Sequence, residues 1–225
     1  MNLDNGFLIV ASQLKRYAVS ANMCAGSIKD NYPEAHITLF VTEELLPFVD
    51  KTLFDNIVYQ DVPSHTRTKL YALSRTPYKK LTVYVDADME CCHQDVSTIW
   101  NEIPDNVDIL MTKIRPYNGK ISKWDGGQMI HHGGFFIYRT NEKTLDFMSK
   151  WWDNYVTQTQ SWTYTEYPIA LQPWDQFTFW KLLTMDKADV VVDFFNDDAR
   201  WNFVNGYRLT ENKKPIIFYH HTVRH

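Results

Sequence analysis

Residues 80–88 read Lys80-Leu81-Thr82-Val83-Tyr84-Val85-Asp86-Ala87-Asp88. A buried-type strand ends there in two carboxylates spaced i and i+2, and in extended chain that spacing puts both on one side. The residues ahead of it set its context. Gly6-Phe7-Leu8-Ile9-Val10-Ala11 reads as a fully buried strand, and residues 14–31 as a helix in which Tyr17, Ala21, Cys24, Ala25 and Ile28 recur at helical spacing. Pro33 stops that helix, residues 36–41 form the next strand, 56–59 a short third, and 67–73 another helix. This β-α-β-α-β order predicts a parallel sheet with crossover helices, an α/β architecture of nucleotide-binding style. In such open sheets the ligand crevice lies beyond the carboxyl ends of the strands, which is where Asp86 and Asp88 fall. Two convergent carboxylates there suit a hard divalent cation, Mg²⁺ or Mn²⁺, that could hold diphosphate oxygens. The competing reading is a solvated strand end with two surface aspartates.

The second half is less regular. Residues 107–112 read as a strand, 114–130 as a polar loop, 133–138 as an apolar strand, 141–155 as a helix, 157–173 as a loop and 175–183 as a helix. Residues 190–195 and 215–221 supply the last strands, and Asp197 to Asn202 read as a structural turn before them. No internal repeat or linker composition divides the chain, so one domain over 1–225 is expected.

Composition narrows the function classes. The 225 residues carry 27 Asp+Glu against 23 Lys+Arg, a net charge of -4, which argues against a nucleic-acid binder and its need for a concentrated basic face. No apolar run approaches the roughly 20 residues of a membrane helix, and no basic stretch leads into an apolar one, so neither a transmembrane segment nor a signal peptide is expected. Three cysteines, Cys24, Cys91 and Cys92, form no plausible disulfide set and point to a reducing compartment, the cytoplasm. All eight tryptophans fall between Trp100 and Trp201; they either pack the second half or line a site for a sugar's apolar faces. His131, His132, His93 and the Cys91-Cys92 pair have no spacing typical of a zinc site.

The stretches Thr68-Lys69-Leu70-Tyr71-Ala72-Leu73, Thr76-Pro77-Tyr78-Lys79-Lys80 and Val83-Tyr84-Val85-Asp86-Ala87-Asp88 together resemble GT-A-fold glycosyltransferases. They are most similar to the glycogenin-like and lipopolysaccharide galactosyltransferase-like enzymes. Gly133-Gly134-Phe135-Phe136-Ile137-Tyr138-Arg139 resembles the strand lining the donor-sugar pocket. Trp174-Asp175-Gln176 resembles the Asp-Gln pair that opens an acceptor-side helix. Lys214-Pro215-Ile216-Ile217-Phe218-Tyr219-His220 resembles the closing strand whose His completes a metal site. Where those enzymes carry an Asn and a small residue before the donor strand, this chain has His131-His132.

The resemblance implies a single GT-A (Rossmann-like) domain with a mostly parallel central sheet flanked by helices and an irregular acceptor-side C-terminal half. Residues 1–112 would be the nucleotide-binding half and 113–225 the donor-sugar and acceptor half. It further implies Asp86, Asp88 and His220 as ligands to Mn²⁺ or Mg²⁺, with Asp86-Ala87-Asp88 also meeting the nucleotide. Lys69 would face the phosphates or donor sugar; Val10, Ala11 and Tyr17 the base; Asp125, Gly133 and Gly134 the donor sugar; Asp175 and Gln176 the reacting carbon. The implied activity is hexose transfer from a UDP-sugar to an acceptor hydroxyl. Retention is the expected outcome and needs no strong base; under inversion Asp175 would be that base. Lys69 or Arg200 would add positive charge at the leaving diphosphate. The rivals are a haloacid-dehalogenase-type phosphohydrolase, a nucleotidyltransferase and a sugar-binding module. The first places Asp-X-Asp on its first strand, the second wants a Gly- and Arg-rich loop where Ala11-Ser12-Gln13-Leu14 stands, and the third has no need of paired carboxylates.

Overall fold

The computed structural model describes residues 3–113, 129–204 and 214–221. Its centre is a mixed sheet of seven described strands in the order β3-β2-β1-β4-β7-β6-β8. These are β1 (Asn5–Ala11), β2 (Ile37–Val41), β3 (Asn56–Val58), β4 (Leu81–Val85), β6 (Ile109–Lys113), β7 (His131–Arg139) and β8 (Val192–Phe194). A smaller sheet has the order β5-β10-β9, from β5 (Met89–Cys91), β9 (Phe203–Val204) and β10 (Phe218–His220). The helices are α1 (Lys15–Asn31), α2 (Thr68–Leu73), α3 (Glu142–Gln160), α4 (Asp175–Thr184) and α5 (Asp198–Trp201).

The apolar runs of β1 and β4 are continuous because helices cover both faces of the sheet. Phe7, Ile9, Val83 and Val85 turn to the face covered by α1, where they meet Ala18, Ala21, Cys24, Ala25 and Ile28. Their neighbours Leu8 and Tyr84 turn to the opposite face and join Leu70 of α2 and Phe147 and Trp151 of α3. Strand alternation thus feeds two cores from one run of residues. A third cluster, Met129, Leu171, Phe177 and Trp180, is joined by Trp162 and Trp174.

β1 pairs in parallel with β2 and β4, and β2 with β3. β7 runs antiparallel to both β4 and β6, so the sheet is parallel over its first four strands and reverses at β7. The sheet is thus mostly parallel as expected, and hydrophobic periodicity, which finds a strand but carries no direction, did not say which strand reverses. The helix expected over 141–155 extends to Gln160. Its polar last turn is held by tertiary bonds: Gln158 Nε2 donates to the Gln172 carbonyl at 2.8 Å and the Trp174 carbonyl at 3.1 Å, and Thr178 Oγ1 donates to Gln158 Oε1 at 2.7 Å. The loop leading into α4 is pinned by that side chain together with Tyr155 Oη on the Pro173 carbonyl and Gln172 Nε2 on the Thr159 carbonyl.

The described tryptophans answer the compositional question in favour of packing. Trp151 and Trp201 are fully buried, Trp100 meets Phe7 edge-on at 5.3 Å between centroids, and Trp162 packs on Phe177. No helix of the described residues is long and apolar enough to cross a membrane.

Gly6 is dictated by a close approach. A Cβ there would fall inside the ring of buried Tyr78, whose hydroxyl donates to the Phe7 carbonyl at 3.0 Å and lies 2.9 Å from Thr38 Oγ1. Gly6→Ala is therefore expected to destabilise the fold by about 1–3 kcal/mol, the usual cost of overpacking a filled core. Urea unfolding checks it; an unchanged midpoint would mean the ring moves aside freely.

Candidate functional site

Strand order reverses between β1 and β4, since β1 is followed outward by β2 on one side and β4 lies on the other. At such a switch point the loops beyond the strand ends diverge and leave a crevice. A cleft of about 460 Å³ opens there, lined by Ser12, Gln13 and Tyr17 after β1, Arg67 and Lys69 around the start of α2, and Asp86 and Asp88 after β4. Gln13 holds φ at 67°, a left-handed conformation rare for a non-glycine residue, at the sharp turn from β1 toward α1.

β4 ends at Val85, so the convergence of Asp86 and Asp88 comes from a turn and not from strand alternation as expected. The turn is closed by Met89 N–H donating to the Asp86 carbonyl at 3.1 Å, and Asp86 N–H is tied to the Gly134 carbonyl of β7 at 2.9 Å. Tyr84 Oη donates to Asp86 Oδ1 at 2.6 Å. Burial first, and then the Asp86 charge, push the Tyr84 phenol well above its ordinary range, so it stays a donor.

β5 follows the turn at once and pairs antiparallel with β10, placing His220 opposite Met89. His221 N–H donates to the Asp88 carbonyl at 2.9 Å, and His220 Nε2 lies 3.3 Å from Asp88 Oδ1. The adjacent His221 turns away to Glu90 Oε2 at 2.8 Å and is exposed, which assigns the inward role to His220. Burial alone would lower the His220 pKa; the bond to and charge of Asp88 outweigh it and the net shift is upward. One ligand atom from each of Asp86, Asp88 and His220 lies within 4.8 Å of the others, the one such His/Cys/Asp/Glu group among the described residues. Two carboxylates and one imidazole are a donor set that could hold a divalent cation.

A second cluster adjoins the first. Asp175, at the start of α4 and 3% exposed, receives Arg67 Nε on Oδ1 at 3.1 Å and has Lys69 Nζ 3.8 Å from Oδ2. Burial pushes its carboxyl up, but the Arg67 and Lys69 charges outweigh that and hold it below the ordinary carboxylate value. Trp151 Nε1 donates to the Asp175 carbonyl at 2.9 Å. Lys69 Nζ also donates to the Gly133 carbonyl at 2.8 Å and reaches Asp86 Oδ1 at 3.4 Å. The next residue, Gln176, is buried, and its Oε1 has no hydrogen-bond partner among the described residues.

Three solved structures share this architecture at low sequence identity. The galactosyltransferase LgtC, in complex with donor and acceptor sugar analogues, aligns over 96% of this chain and 87% of its own at 14% identity, with a TM-score of 0.60. The bifunctional glycosyltransferase WbbM aligns over all of this chain but only 46% of its own length, at 12% identity and a TM-score of 0.62. Mouse xyloside xylosyltransferase 1 aligns over 98% of both chains at 9% identity and a TM-score of 0.59. The fold is that of a GT-A glycosyltransferase. No family model matches the sequence, and no curated protein does either.

Within this GT-A fold most of the expected site residues come together. Asp86, Asp88 and His220 form one cluster, and Lys69, Asp175 and Gly133 adjoin it. Val10, Tyr17 and Ala87 line the cleft. Ala11 instead points into the core beside α1, and Ser12 and Gln13, one and two residues on, take its place at the cleft. Arg200 is committed elsewhere, to Asp95 Oδ2 at 2.7 Å and the Pro215 carbonyl at 2.9 Å. Asp125, with Lys123 and Trp124, lies outside the described residues. Sequence reasoning passed over Arg67 and Tyr84, although both flank or fall within the motifs around Lys69 and Asp86. It also passed over Asn202, which it took for part of a structural turn.

The two glycines differ. A Cβ on Gly134 would come within 2.7 Å of His132 Cε1 and 2.9 Å of Asp86 Oδ2, whereas on Gly133 the nearest atom, Lys69 Nζ, stands at an ordinary 3.5 Å. Gly134→Ala is expected to weaken Mn²⁺ binding about tenfold or more by displacing Asp86, the scale on which a ligand's supports matter, while Gly133→Ala stays near wild type. Calorimetric titration of Mn²⁺ into each variant tests this, and equal loss in both would refute the distinction.

Asp175 supplies a pH prediction. Its folded pKa lies below its unfolded value, so its contribution to stability is complete above the unfolded value and is lost as pH falls through the folded one. Asp175→Asn should cost roughly 1–3 kcal/mol at pH 7, and the gap to wild type should narrow on acidification to pH 3. Urea midpoints at the two pH values decide it; a gap that persists at pH 3 counts against the ion pairs.

Proposed function

We propose that the chain is a metal-dependent glycosyltransferase that moves a hexose from a nucleotide-diphosphate sugar, a UDP-sugar, to an acceptor hydroxyl with retention of configuration. The observation that carries this reading is the meeting of Asp86, Asp88 and His220 at the mouth of a cleft at the sheet's switch point. Those three residues would hold Mn²⁺ or Mg²⁺. A cation bound there would supply Lewis-acid stabilisation of the charge that grows on the leaving diphosphate.

The protein's own groups fill the remaining roles. Val10, Ser12, Gln13 and Tyr17 line the cleft after β1 and would form the wall where a base rests. The Lys69 ammonium, 14% exposed on its side chain, is positioned to meet donor oxygens at the junction of the two carboxylate clusters. Gly133 would present its backbone beside Lys69 and Asp175 to the donor sugar, and Gly134, whose missing side chain makes room for Asp86 and His132, would serve the same end through Asp86. Asp175 is a poor general base in this arrangement, because a base works best with a pKa near the working pH and Asp175 is held well below it by two cations. Its role in the proposal is to orient donor hydroxyls through a fixed, charged carboxylate. Gln176, next in sequence, would stand on the reacting-carbon side, with its amide oxygen buried behind the cleft lining.

The proposal includes the division of labour between residues 1–112 for the nucleotide and 113–225 for donor sugar and acceptor. It also places the protein in the cytoplasm, in keeping with free Cys24, Cys91 and Cys92.

The test is titration of UDP into the protein with Mn²⁺, with EDTA in its place, and with Asp88→Ala. Binding should require the metal and fall at least tenfold in the variant. Binding indifferent to both would remove the main support for the reading, and metal-dependent binding would justify a hydrolysis screen of UDP-sugars.

A further inference from the structure

Behind the metal cluster lies a buried polar group that ties three elements together. Asn202, between α5 and β9, is fully buried; Thr112 of β6 is fully buried, and His132 of β7 and His220 of β10 are nearly so. Asn202 Nδ2 lies 3.0 Å from Thr112 Oγ1 and 2.9 Å from His132 Nδ1, while its Oδ1 lies 2.9 Å from His220 Nδ1.

The orientation of this amide follows from its neighbours. Thr112 Oγ1 donates its one proton to the Phe135 carbonyl at 3.2 Å, so toward Asn202 it can only accept. His132 Nδ1 receives the Gly134 N–H at 3.3 Å, so it too is an acceptor. Both therefore require the NH₂ end of the amide, which leaves Oδ1 to face His220. A carbonyl oxygen cannot donate, and the proton between it and His220 must sit on Nδ1.

We infer that Asn202 is a positioning residue that fixes His220 as the Nδ1–H tautomer and turns its Nε2 toward Asp88 as a ready metal-ligating atom. The same amide holds His132 in the opposite tautomer, with its ring proton on Nε2. A ligating imidazole needs its second nitrogen anchored by an acceptor, because that bond sets both the ring plane and the lone pair offered to the ion. Here the acceptor is a neutral amide whose direction is locked by a threonine and a second histidine on the main sheet. The small sheet that carries His220 is thereby registered against the large one that carries the Asp86 turn.

The inference rests on the metal reading above, and the experiment separates the two. Mn²⁺ is titrated calorimetrically into wild type, Asn202→Ala and Asn202→Asp, with thermal unfolding of each recorded beside it. Asn202→Ala should bind Mn²⁺ about 10–100-fold more weakly. Asn202→Asp, which keeps an acceptor for Nδ1–H but sets a second oxygen against the acceptors Thr112 and His132, should bind Mn²⁺ more tightly than Asn202→Ala while unfolding at a lower temperature than wild type. A merely structural role would lower unfolding temperatures in both variants and leave the affinity of the folded protein unchanged. If Asn202→Ala does not fold, long-range ¹H–¹⁵N spectra of histidine-labelled, metal-free wild type decide the matter. A His220 proton on Nδ1 supports the inference. A proton on Nε2, or a folded Asn202→Ala with wild-type affinity, overturns it alone. Wild type that takes up no Mn²⁺ overturns the metal reading and the inference with it.

Discussion

One ammonium group stands between the two acidic clusters of the cleft. Lys69 Nζ is within 3.4 Å of Asp86, 3.8 Å of Asp175 and 2.8 Å of the Gly133 carbonyl. Largely buried carboxylates repel one another strongly where the local dielectric is low, and each needs a cation or a donor to remain charged. Lys69 meets that need for both at once and ties them to the backbone of β7. The short helix α2 is placed to deliver it. Its first residue, Thr68, anchors to the Pro63 and His65 carbonyls at 2.7 Å and leaves Lys69 aimed into the cleft. Arg67, one residue earlier, then reaches the far oxygen of Asp175.

The rest of the site hangs on the reversal of chain direction at β7. Because β7 runs antiparallel to β4, its Gly133 and Gly134 lie beside the end of β4 instead of at the opposite edge of the sheet. Their carbonyls hold Lys69 and the Asp86 amide, and the missing side chain of Gly134 makes room for Asp86 and His132 together. A parallel strand in this position would put its other end at the cleft, and both backbone contacts would be lost. The small sheet completes the arrangement from outside. β5 leaves the Asp86-Ala87-Asp88 turn directly, and the pairing of β10 on β5 brings His220 to Asp88 across most of the chain's length.

What could be read from the sequence was what is local. The buried strand that ends at the Asp-X-Asp motif and the helix of Ala21, Cys24 and Ile28 are each decided within a dozen residues and stand where expected within one or two positions, whereas the turn that makes the two aspartates converge was not foreseen. Ala11 missed by a single step, since the strand period sends it to the core and the turn after it sends Ser12 and Gln13 to the cleft. Arg67 and Tyr84 sit beside or inside legible motifs, yet their roles depend on Asp175 far along the chain or on a side-chain bond across the turn. Asn202 carried no local signal at all. An asparagine in a short polar stretch is an ordinary turn residue, and only the folded neighbours Thr112, His132 and His220 give it a different meaning.

The chemistry left open by the fold turns on how charge is shared between the two clusters. Asp175 is fully engaged: two cations and burial on every side leave it ionised and weakly basic. Asp88 meets an imidazole whose amide-fixed proton points away from it, so that carboxylate and nitrogen lone pair face each other at 3.3 Å. That juxtaposition is favourable only with a proton or a metal ion between them. The site therefore divides into an acidic residue already neutralised by the protein and a pair that, in the proposed reading, would be neutralised by a bound cation. A transfer reaction that needed a protein base would be served by the reverse arrangement, with Asp175 left without its cations. In the proposed transfer this charge distribution would favour stabilising the leaving group, with Asp175 taking no part as a base.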